Sequence, residues 1–283
     1  MKFGMNLLLW GGEIQQDWLP VLEQLKQMGF DGVEIPVFNT EIDYVPWAKQ
    51  LDDIGLMRTA VTVRNEEDNP IGRDAAVRAM SVDNCKRSLD CCRTLGATHL
   101  VGPYHSAIGV FSGSGPTADE WMYGVESMRQ VAEHAGEVGV ILGVESLNRF
   151  ETYFLNSIAD TVRFVRDVGH PNCLTIYDTF HANIEEKSIR DAVQACAEVL
   201  GEVHISENDR STPGDGGVNW TATFDALFEV GYDGWMVIEA FGMALPELAA
   251  ATKIWRKMYS DELQLARDGL QFMRGQVSQR WPS

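Results

Sequence analysis

The chain has 283 residues, of which 45% are hydrophobic and 23% are charged, a composition that is typical of folded globular proteins and excludes disordered and fibrous classes. With 23 Lys and Arg residues against 41 Asp and Glu residues, the formal net charge is -18. A charge of this sign repels phosphate backbones and anionic lipid, so we expect no nucleic-acid partner and no membrane partner.

The cysteines and the N-terminal sequence indicate a cytoplasmic protein. The five cysteines are odd in number and form no CxxC pair, which argues against a disulfide framework and a zinc knuckle. The apolar run near the N-terminus is short and is followed by Gly11, Gly12 and an acid, so it predicts a buried strand rather than a signal peptide. No segment has the roughly 20 apolar residues that a membrane-spanning helix needs.

Short apolar runs rich in β-forming residues alternate with longer amphipathic stretches along the whole chain. The predicted strands are 2–10, 32–37, 58–64, 98–104, 141–146, 174–180, 202–208 and 235–241. The predicted helices are 18–29, 44–55, 74–95, 119–138, 157–168, 189–200 and 220–230, followed by a helical extension from about residue 246. Several helices end at a glycine, as expected for left-handed C-caps: Gly29, Gly55, Gly96, Gly139, Gly169 and Gly231.

The repeated unit of strand, helix and glycine predicts the fold class. About eight such units with no linker between them are the pattern of an α/β fold, a (β/α)₈ TIM barrel that forms a single domain over residues 1–283. A doubly wound open sheet is the second interpretation. It is disfavoured because the loop after the first strand lacks the GxGxxG fingerprint of dinucleotide-binding folds.

Four potential metal ligands recur near the ends of consecutive predicted strands. Glu145, Asp178 and Glu239 end the fifth, sixth and eighth strands, and His204 lies in the seventh. Successive members are about 30 residues apart, the length of one strand–helix unit. Because the active site of a TIM barrel lies at the C-terminal ends of its strands, these side chains should converge. Three carboxylates and an imidazole suit a divalent cation such as Mn²⁺ or Mg²⁺, with Co²⁺ as a further candidate.

Each of these residues also has a structural interpretation when it is taken alone. An acid at a strand end, such as Asp178, often caps a helix or forms an ion pair. A single histidine in an apolar strand, such as His204, is more often a core residue with satisfied hydrogen bonds. The coincidence of four metal-type residues at the same strand position favours the metal site.

A second group of polar residues lies just beyond these strand ends. Glu151, His181 and Arg210 follow three of the ligands by three to six residues and should project over the barrel mouth. His105, in the loop after the fourth strand, is expected either to contact the ligand or to be solvated. The glycine-rich stretch 207–220 contains acids and no Lys, which argues against a phosphate site. We therefore expect an uncharged polyol or sugar as the substrate.

Four segments of the chain resemble the motifs of a known enzyme family: VESLNRFET, IYDTFHANIEE, VHISENDR and VIEAF. They are similar to those of the ketose 3-epimerases, the D-tagatose 3-epimerase and D-allulose (D-psicose) 3-epimerase family of the xylose isomerase-like barrel superfamily. The resemblance implies that Glu145, Asp178, His204 and Glu239 bind one divalent metal ion per subunit, commonly Mn²⁺.

The same resemblance implies how the substrate is held. Glu151, His181 and Arg210 would contact the sugar oxygens near C1 to C3, and Phe241 would belong to the apolar wall around the substrate. The family resemblance also suggests a homodimer or a homotetramer.

Epimerisation at C3 of a ketose requires a proton to leave one face of the carbon and to return to the other, so two bases must flank it. Glu145 and Glu239 come from the fifth and eighth predicted strands, which places them apart around the mouth. We expect a metal-dependent isomerase that acts on a free ketose through a cis-enediolate, with these two glutamates as the catalytic bases.

Other functions are weighed against this one. A hydroxypyruvate isomerase, an inosose dehydratase or an epimerase of keto-glycosides would share the metal site and differ at the far wall. A barrel endonuclease with a multi-zinc site is disfavoured by the 6 histidines and the net charge of -18. A silent sugar-binding protein is disfavoured because all four ligands and both paired glutamates are present.

Overall fold

The computed structural model describes residues 1–243 and 246–281. Eight parallel strands form a closed barrel in which each strand is hydrogen-bonded to the next and β8 is hydrogen-bonded to β1. This confirms the α/β barrel. The strands are β1 (Lys2–Asn6), β2 (Gly32–Pro36), β3 (Met57–Val61), β4 (His99–Gly102), β5 (Ile141–Val144), β6 (Cys173–Asp178), β7 (Leu200–Ile205) and β8 (Trp235–Ile238).

The helices lie between and after the strands. They are α1 (Leu19–Met28), α2 (Val45–Ile54), α3 (Ala75–Leu95), α4 (Ala118–Val138), α5 (Ile158–Val168), α6 (Thr179–Glu185), α7 (Ile189–Cys196), α8 (Trp220–Glu229), α9 (Pro246–Thr252) and α10 (Glu262–Ser278). The predicted glycine caps all have positive φ angles. Within the described ranges, no helix has both the length and the apolar character needed to cross a membrane.

Two predicted strands are shorter than expected because their last residues begin helical turns. The first, predicted over 2–10, ends at Asn6, whose side-chain oxygen accepts a hydrogen bond of 2.8 Å from the backbone N–H of Leu8. That contact caps a short 3₁₀ helix, Leu7–Leu9. The sixth, predicted over 174–180, ends at Asp178, which caps α6. Helix capping was one interpretation of Asp178 in the sequence, but α6 itself was not predicted.

The helical extension predicted from about residue 246 consists of two helices, α9 and α10. The longer one, α10, packs against β8 and α1. Gly269 allows this close packing, because a Cβ atom there would lie 2.8 Å from Cδ1 of Ile238. Residues 244–245 and 282–283 of the predicted domain lie outside the described part of the chain.

The barrel interior below the mouth is polar, while the apolar core lies between the sheet and the surrounding helices. The fully buried interior contains an acid on β2, an acid and an imidazole on β7, and amide and hydroxyl groups on β1 and β3: Glu34, Glu202, His204, Asn6 and Thr59. Buried polar groups are costly unless they have partners. Their presence on the inner face therefore points to a functional centre at this end of the barrel.

The end of β4 depends on a glycine. Gly102 has a φ of +124°, and a Cβ atom there would lie 2.3 Å from the carbonyl oxygen of Thr62. We expect Gly102→Ala to lower the free energy of unfolding by about 2–4 kcal/mol, because both the backbone conformation and the contact become unfavourable. Urea denaturation measures this change. In the control Gly115→Ala, the new Cβ has no neighbour within 4 Å, and the change should stay below about 0.5 kcal/mol; equal stability of the two variants would contradict the explanation.

Candidate metal centre and active site

A cavity of about 210 Å³ opens at the C-terminal ends of the strands. Its charged and ionisable lining residues come from the ends of β5 and β8 and from the segments after β5, β6 and β7: Glu145, Glu151, His181, Arg210 and Glu239. The structure thus brings six of the predicted site residues to one cavity, these five and Phe241. Phe241 lines the same cavity, and Asp178 and His204 lie immediately beside it.

The four predicted metal ligands lie where strands β5 to β8 end. Glu145 directly follows β5, Glu239 directly follows β8, and Asp178 is the last residue of β6. His204 in β7 is paired in register with Asp178 on one side and with Val237 on the other. All four side chains are buried, with 0–4% exposed. The parallel register therefore brings residues that are far apart in sequence to one level of the barrel.

The ligand atoms of these four residues are close enough to share an ion. One atom from each lies within 4.8 Å of the others. Nδ1 of His204 is 3.7 Å from Oε1 of Glu145 and 3.7 Å from Oδ2 of Asp178. The same nitrogen is 3.6 Å from Oε1 of Glu239. Two atoms bound to one cation at about 2.0–2.3 Å are at most about 4.6 Å apart, so these distances suit a single ion.

Three atoms of the four residues are buried without a hydrogen-bond partner among the described residues: Nδ1 and Nε2 of His204 and Oε1 of Glu145. A buried polar atom that makes no hydrogen bond costs about 1–3 kcal/mol. A cation bound by Nδ1 of His204 and Oε1 of Glu145 would remove that cost for these two atoms. The donor set of three carboxylates and one imidazole therefore fits a divalent ion.

The buried acids and the imidazole of the four residues shift one another's pKa values. Burial, together with the nearby carboxylates of Glu145 and Asp178, raises the pKa of Glu239 well above its ordinary value. Burial favours the neutral imidazole of His204, but the negative charges of Glu34 and Glu239 raise its pKa well above the ordinary value. A bound cation would reduce the repulsion among the acids, which is a second physical reason for a metal at this position.

A further acid supports His204 from below, and sequence analysis missed it. Oε1 of Glu34, in the middle of β2, lies 3.2 Å from Nε2 of His204. Glu34 itself accepts hydrogen bonds from Nδ2 of Asn6 at 2.7 Å and from Oγ1 of Thr59 at 3.1 Å. A carboxylate at Nε2 orients the ring so that Nδ1 faces the metal group. The available signal was an acid inside the apolar run GVEIPV.

Arg210 reaches the site from the loop after β7. Its Nη1 forms an ion pair with Glu239 and lies 3.4 Å from Oδ2 of Asp178. Its guanidinium carbon lies 3.7 Å from the centre of the Phe180 ring and 5.1 Å from that of Phe241. Burial would raise the pKa of Asp178, but the positive charge of Arg210 lowers it below its ordinary value. The aromatic rings therefore hold a fixed positive charge beside the acids.

His181 and Glu151 are held in place by a residue that sequence analysis did not identify. The backbone N–H of Asn148 donates to Nδ1 of His181 at 3.0 Å, and its side-chain amide donates to Oε1 of Glu151 at 2.8 Å. Nε2 of His181 lies 2.9 Å from Nη2 of Arg210. Burial lowers the pKa of His181, which favours the neutral ring. Asn148 thus fixes two predicted substrate contacts together.

The glycine-rich loop after β7 is organised by a buried acid. The carboxylate of Glu207 accepts hydrogen bonds of 2.9–3.0 Å from the backbone of Gly214 and Val218 and from the indole of Trp220. Arg210 has a φ of +63°, which is rare for residues other than glycine, and its N–H donates to the carbonyl oxygen of Glu207 at 2.9 Å. These contacts fix the backbone of the loop that carries Arg210.

His105 lies behind the cavity rather than in it. Its side chain is fully buried, and Nε2 donates to the carbonyl oxygen of Glu145 at 2.8 Å. Oγ of Ser106 lies 3.0 Å from its Nδ1. Burial lowers the pKa of His105 to about 4, so the ring is neutral near pH 7. The sequence predicted that His105 either contacts the ligand or is solvated. In the structure, its side chain instead forms a buried contact that holds the backbone at Glu145.

Comparison with known proteins shows the family to which the chain belongs. The sequence model of the family described as Xylose isomerase-like TIM barrel matches residues 22–276. The chain is 32% identical to the L-ribulose 3-epimerase of Mesorhizobium japonicum over 277 residues, which covers 96% of this chain and 93% of that protein. The chain belongs to the ketose 3-epimerase family.

Further members of this family support the assignment. The D-psicose 3-epimerase of Agrobacterium fabrum is 32% identical to this chain over 263 residues. The alignment covers 91% of this chain and 91% of that protein. The crystal structure of D-allulose 3-epimerase from Methylomonas sp. in complex with D-allulose has a TM-score of 0.93 and 27% identity. The comparison covers 99% of this chain and 97% of that structure. As a ketose 3-epimerase family member, the protein is an isomerase.

If the four residues bind a divalent cation, adding the cation should raise the thermal stability of the protein. At a Mn²⁺ concentration of about 100 times Kd, binding should stabilise the metal-free protein by about 2.7 kcal/mol, a rise of roughly 5 °C in Tm for a chain of this size. Asp178→Asn keeps an oxygen that can cap α6 but removes one ligand charge, and should lose at least half of that rise. Differential scanning calorimetry with and without EDTA measures both values.

The control for this experiment is Glu198→Gln, which removes a carboxylate that is 85% exposed, precedes the start of β7 and pairs with Arg166. It should show the full rise in Tm on Mn²⁺ addition. A rise in Asp178→Asn equal to that of the unmodified protein would contradict the assignment of this ligand.

Proposed function

We propose that this enzyme epimerises a free ketose at C3 in a reaction that depends on a divalent metal ion. The observation that carries the proposal is the placement of Glu145 and Glu239. Both line one cavity, they come from the ends of β5 and β8, and each has a carboxylate oxygen within 3.7 Å of Nδ1 of His204. Two acids around one metal group are what proton removal and return at a single carbon requires.

The two glutamates perform the proton transfers. One takes the proton from C3, which leaves a cis-enediolate across C2 and C3, and the other returns a proton to the opposite face. The reverse reaction exchanges their roles, so the epimer that enters decides which glutamate acts as the base. When bound to Glu145, Asp178, His204 and Glu239, the cation supplies positive charge that offsets the negative charge developing on the substrate.

The remaining polar residues orient the substrate. Arg210 and His181 lie 2.9 Å apart at their nearest nitrogens, and both face the cavity, so they can donate hydrogen bonds to the oxygen that gains negative charge. Glu151, fixed by Asn148, can accept a hydrogen bond from the hydroxyl at C1 or C2. These groups hold the ketose so that C3 lies between the two glutamates.

The charges of the cavity favour an unphosphorylated sugar. Three acids line it. Among the described residues of the lining, the one Lys or Arg side chain is Arg210, which is paired with Glu239. A phosphate group would meet net negative charge there. We propose Mn²⁺ as the ion, with Mg²⁺ or Co²⁺ as alternatives that the same oxygen-rich donor set can bind. A homodimer or homotetramer and a cytoplasmic location stay predictions from the sequence.

Glu145→Gln and Glu239→Gln should each lower kcat by about 10²–10⁴-fold. The amide keeps the shape of the side chain but cannot take the proton. Activity is measured at a Mn²⁺ concentration that saturates each variant, so that weakened metal binding does not account for the loss. The control Glu133→Gln changes an exposed acid on α4 and should keep full activity. Retention of more than a tenth of kcat in either glutamate variant would contradict its role.

Deuterium labelling tests the reaction itself. The Mn²⁺-loaded enzyme is incubated with a panel of ketoses in D₂O, and the products are analysed by NMR and mass spectrometry. A 3-epimerase introduces deuterium at C3 and forms the C3 epimer without loss of water. Loss of water would indicate a dehydratase, label at C4 of a keto-glycoside would indicate a 4-epimerase, and absence of label at C3 in every ketose would overturn the proposal.

A further inference from the structure

The cavity has two chemically different sides. The charged and ionisable side chains described above occupy the side formed after β5 to β8. The opposite side, which we call the apolar wall, is formed after β1 to β4 and by α9: Leu8, Phe38, Val61, Val63, Ile108 and Leu248. Among the described residues that line this side, Thr252 alone has a side chain that can form a hydrogen bond.

The backbone of the apolar wall offers few partners in place of side chains. The N–H of Leu8 donates to the side chain of Asn6 at 2.8 Å, and the carbonyl oxygen of Val61 accepts from the N–H of Val37 at 2.9 Å. Leu8 and Val61 are only 5% and 2% exposed, so water reaches them poorly, whereas Phe38 and Ile108 of the same wall are 40% and 36% exposed. A hydroxyl group placed against Leu8 and Val61 would therefore lose its hydrogen bonds to water and gain none from these two residues.

The proposed reaction decides which part of the sugar meets the apolar wall. C3 must lie between Glu145 and Glu239, and the oxygens of C1 to C3 belong with the polar residues on the same side. The remaining carbons of a ketohexose then extend toward the apolar wall. A methyl group at the terminal carbon would gain from burial there, whereas a hydroxymethyl group would be desolvated without compensation.

We propose that this site prefers 6-deoxyketoses to the ketohexoses that carry a hydroxyl at C6. The inference rests on the proposed C3 epimerisation and names the substrate class for that same site. The preference arises because the apolar wall offers no hydrogen bond to a hydroxyl at C6. An apolar pocket lowers kcat/KM for a substrate with an added hydroxyl by up to about 10²-fold.

The test compares D-fructose with 6-deoxy-D-fructose, two sugars of the same configuration at C3, C4 and C5. We expect kcat/KM of the Mn²⁺-loaded enzyme to be at least tenfold higher for the deoxy sugar. Val61→Thr and Val63→Thr each add a hydroxyl to the apolar wall at nearly constant shape, and at least one of them should lower this ratio by threefold or more. Val45→Thr, a valine that is 64% exposed outside the cavity, should leave the ratio unchanged.

The change in the ratio between proteins is the decisive quantity. The deoxy sugar cannot form the six-membered ring that uses O6, so the two sugars differ in their open-chain fraction, but this difference cancels when the variants are compared with the unmodified enzyme. A ratio of one or less, or a ratio that neither wall variant changes, would overturn the inference while leaving C3 epimerisation intact. Absence of C3 epimerisation with both sugars, and with the wider ketose panel, would overturn the proposed function and this inference with it.

Discussion

The main physical constraint on this site is the repulsion among three buried carboxylates that lie beside one imidazole at the mouth of the barrel. The four side chains are at most 4% exposed, and their ligand atoms lie within 4.8 Å of one another. Water cannot screen such charges, so the acids repel one another unless a positive charge lies among them. Arg210 provides part of that charge through Glu239 and Asp178, and a divalent cation held by the four ligands would provide the rest.

The rest of the barrel holds this group in position at successive levels. The parallel register of β6, β7 and β8 sets the heights of Asp178 and His204. Glu34 lies against His204 from the floor side, and the loop organised by Glu207 holds Arg210 on the mouth side. The polar contacts are thus concentrated on one half of the cavity, and the other half is left to apolar residues that fill space without making hydrogen bonds. The proposed proton transfers use the polar half of the cavity, and the proposed substrate preference depends on the apolar half.

The sequence predicted the fold and the four residues that the structure brings together, because both follow local rules. Alternating strands and helices with glycine caps specify the barrel, and the spacing of Glu145, Asp178, His204 and Glu239 follows from one ligand per strand–helix unit. Features that depend on tertiary contacts were missed. Neither the place of His105 behind Glu145 nor the contact of Asn148 with His181 has a local sequence signal. The helix α6 was also missed, although its cap is local: the side chain of Asp178 accepts hydrogen bonds from the N–H groups of Phe180 and His181.

The central claim is that one cation is held by these four residues and that a ketose lies between Glu145 and Glu239. Anomalous X-ray diffraction at the manganese edge, from crystals grown with Mn²⁺ and a slowly converted ketose, tests it most directly. The account predicts one strong peak at about 2.0–2.3 Å from an atom of each ligand, with C3 of the sugar between the two glutamates. A peak at another position, or a sugar bound with a different carbon between them, would contradict it.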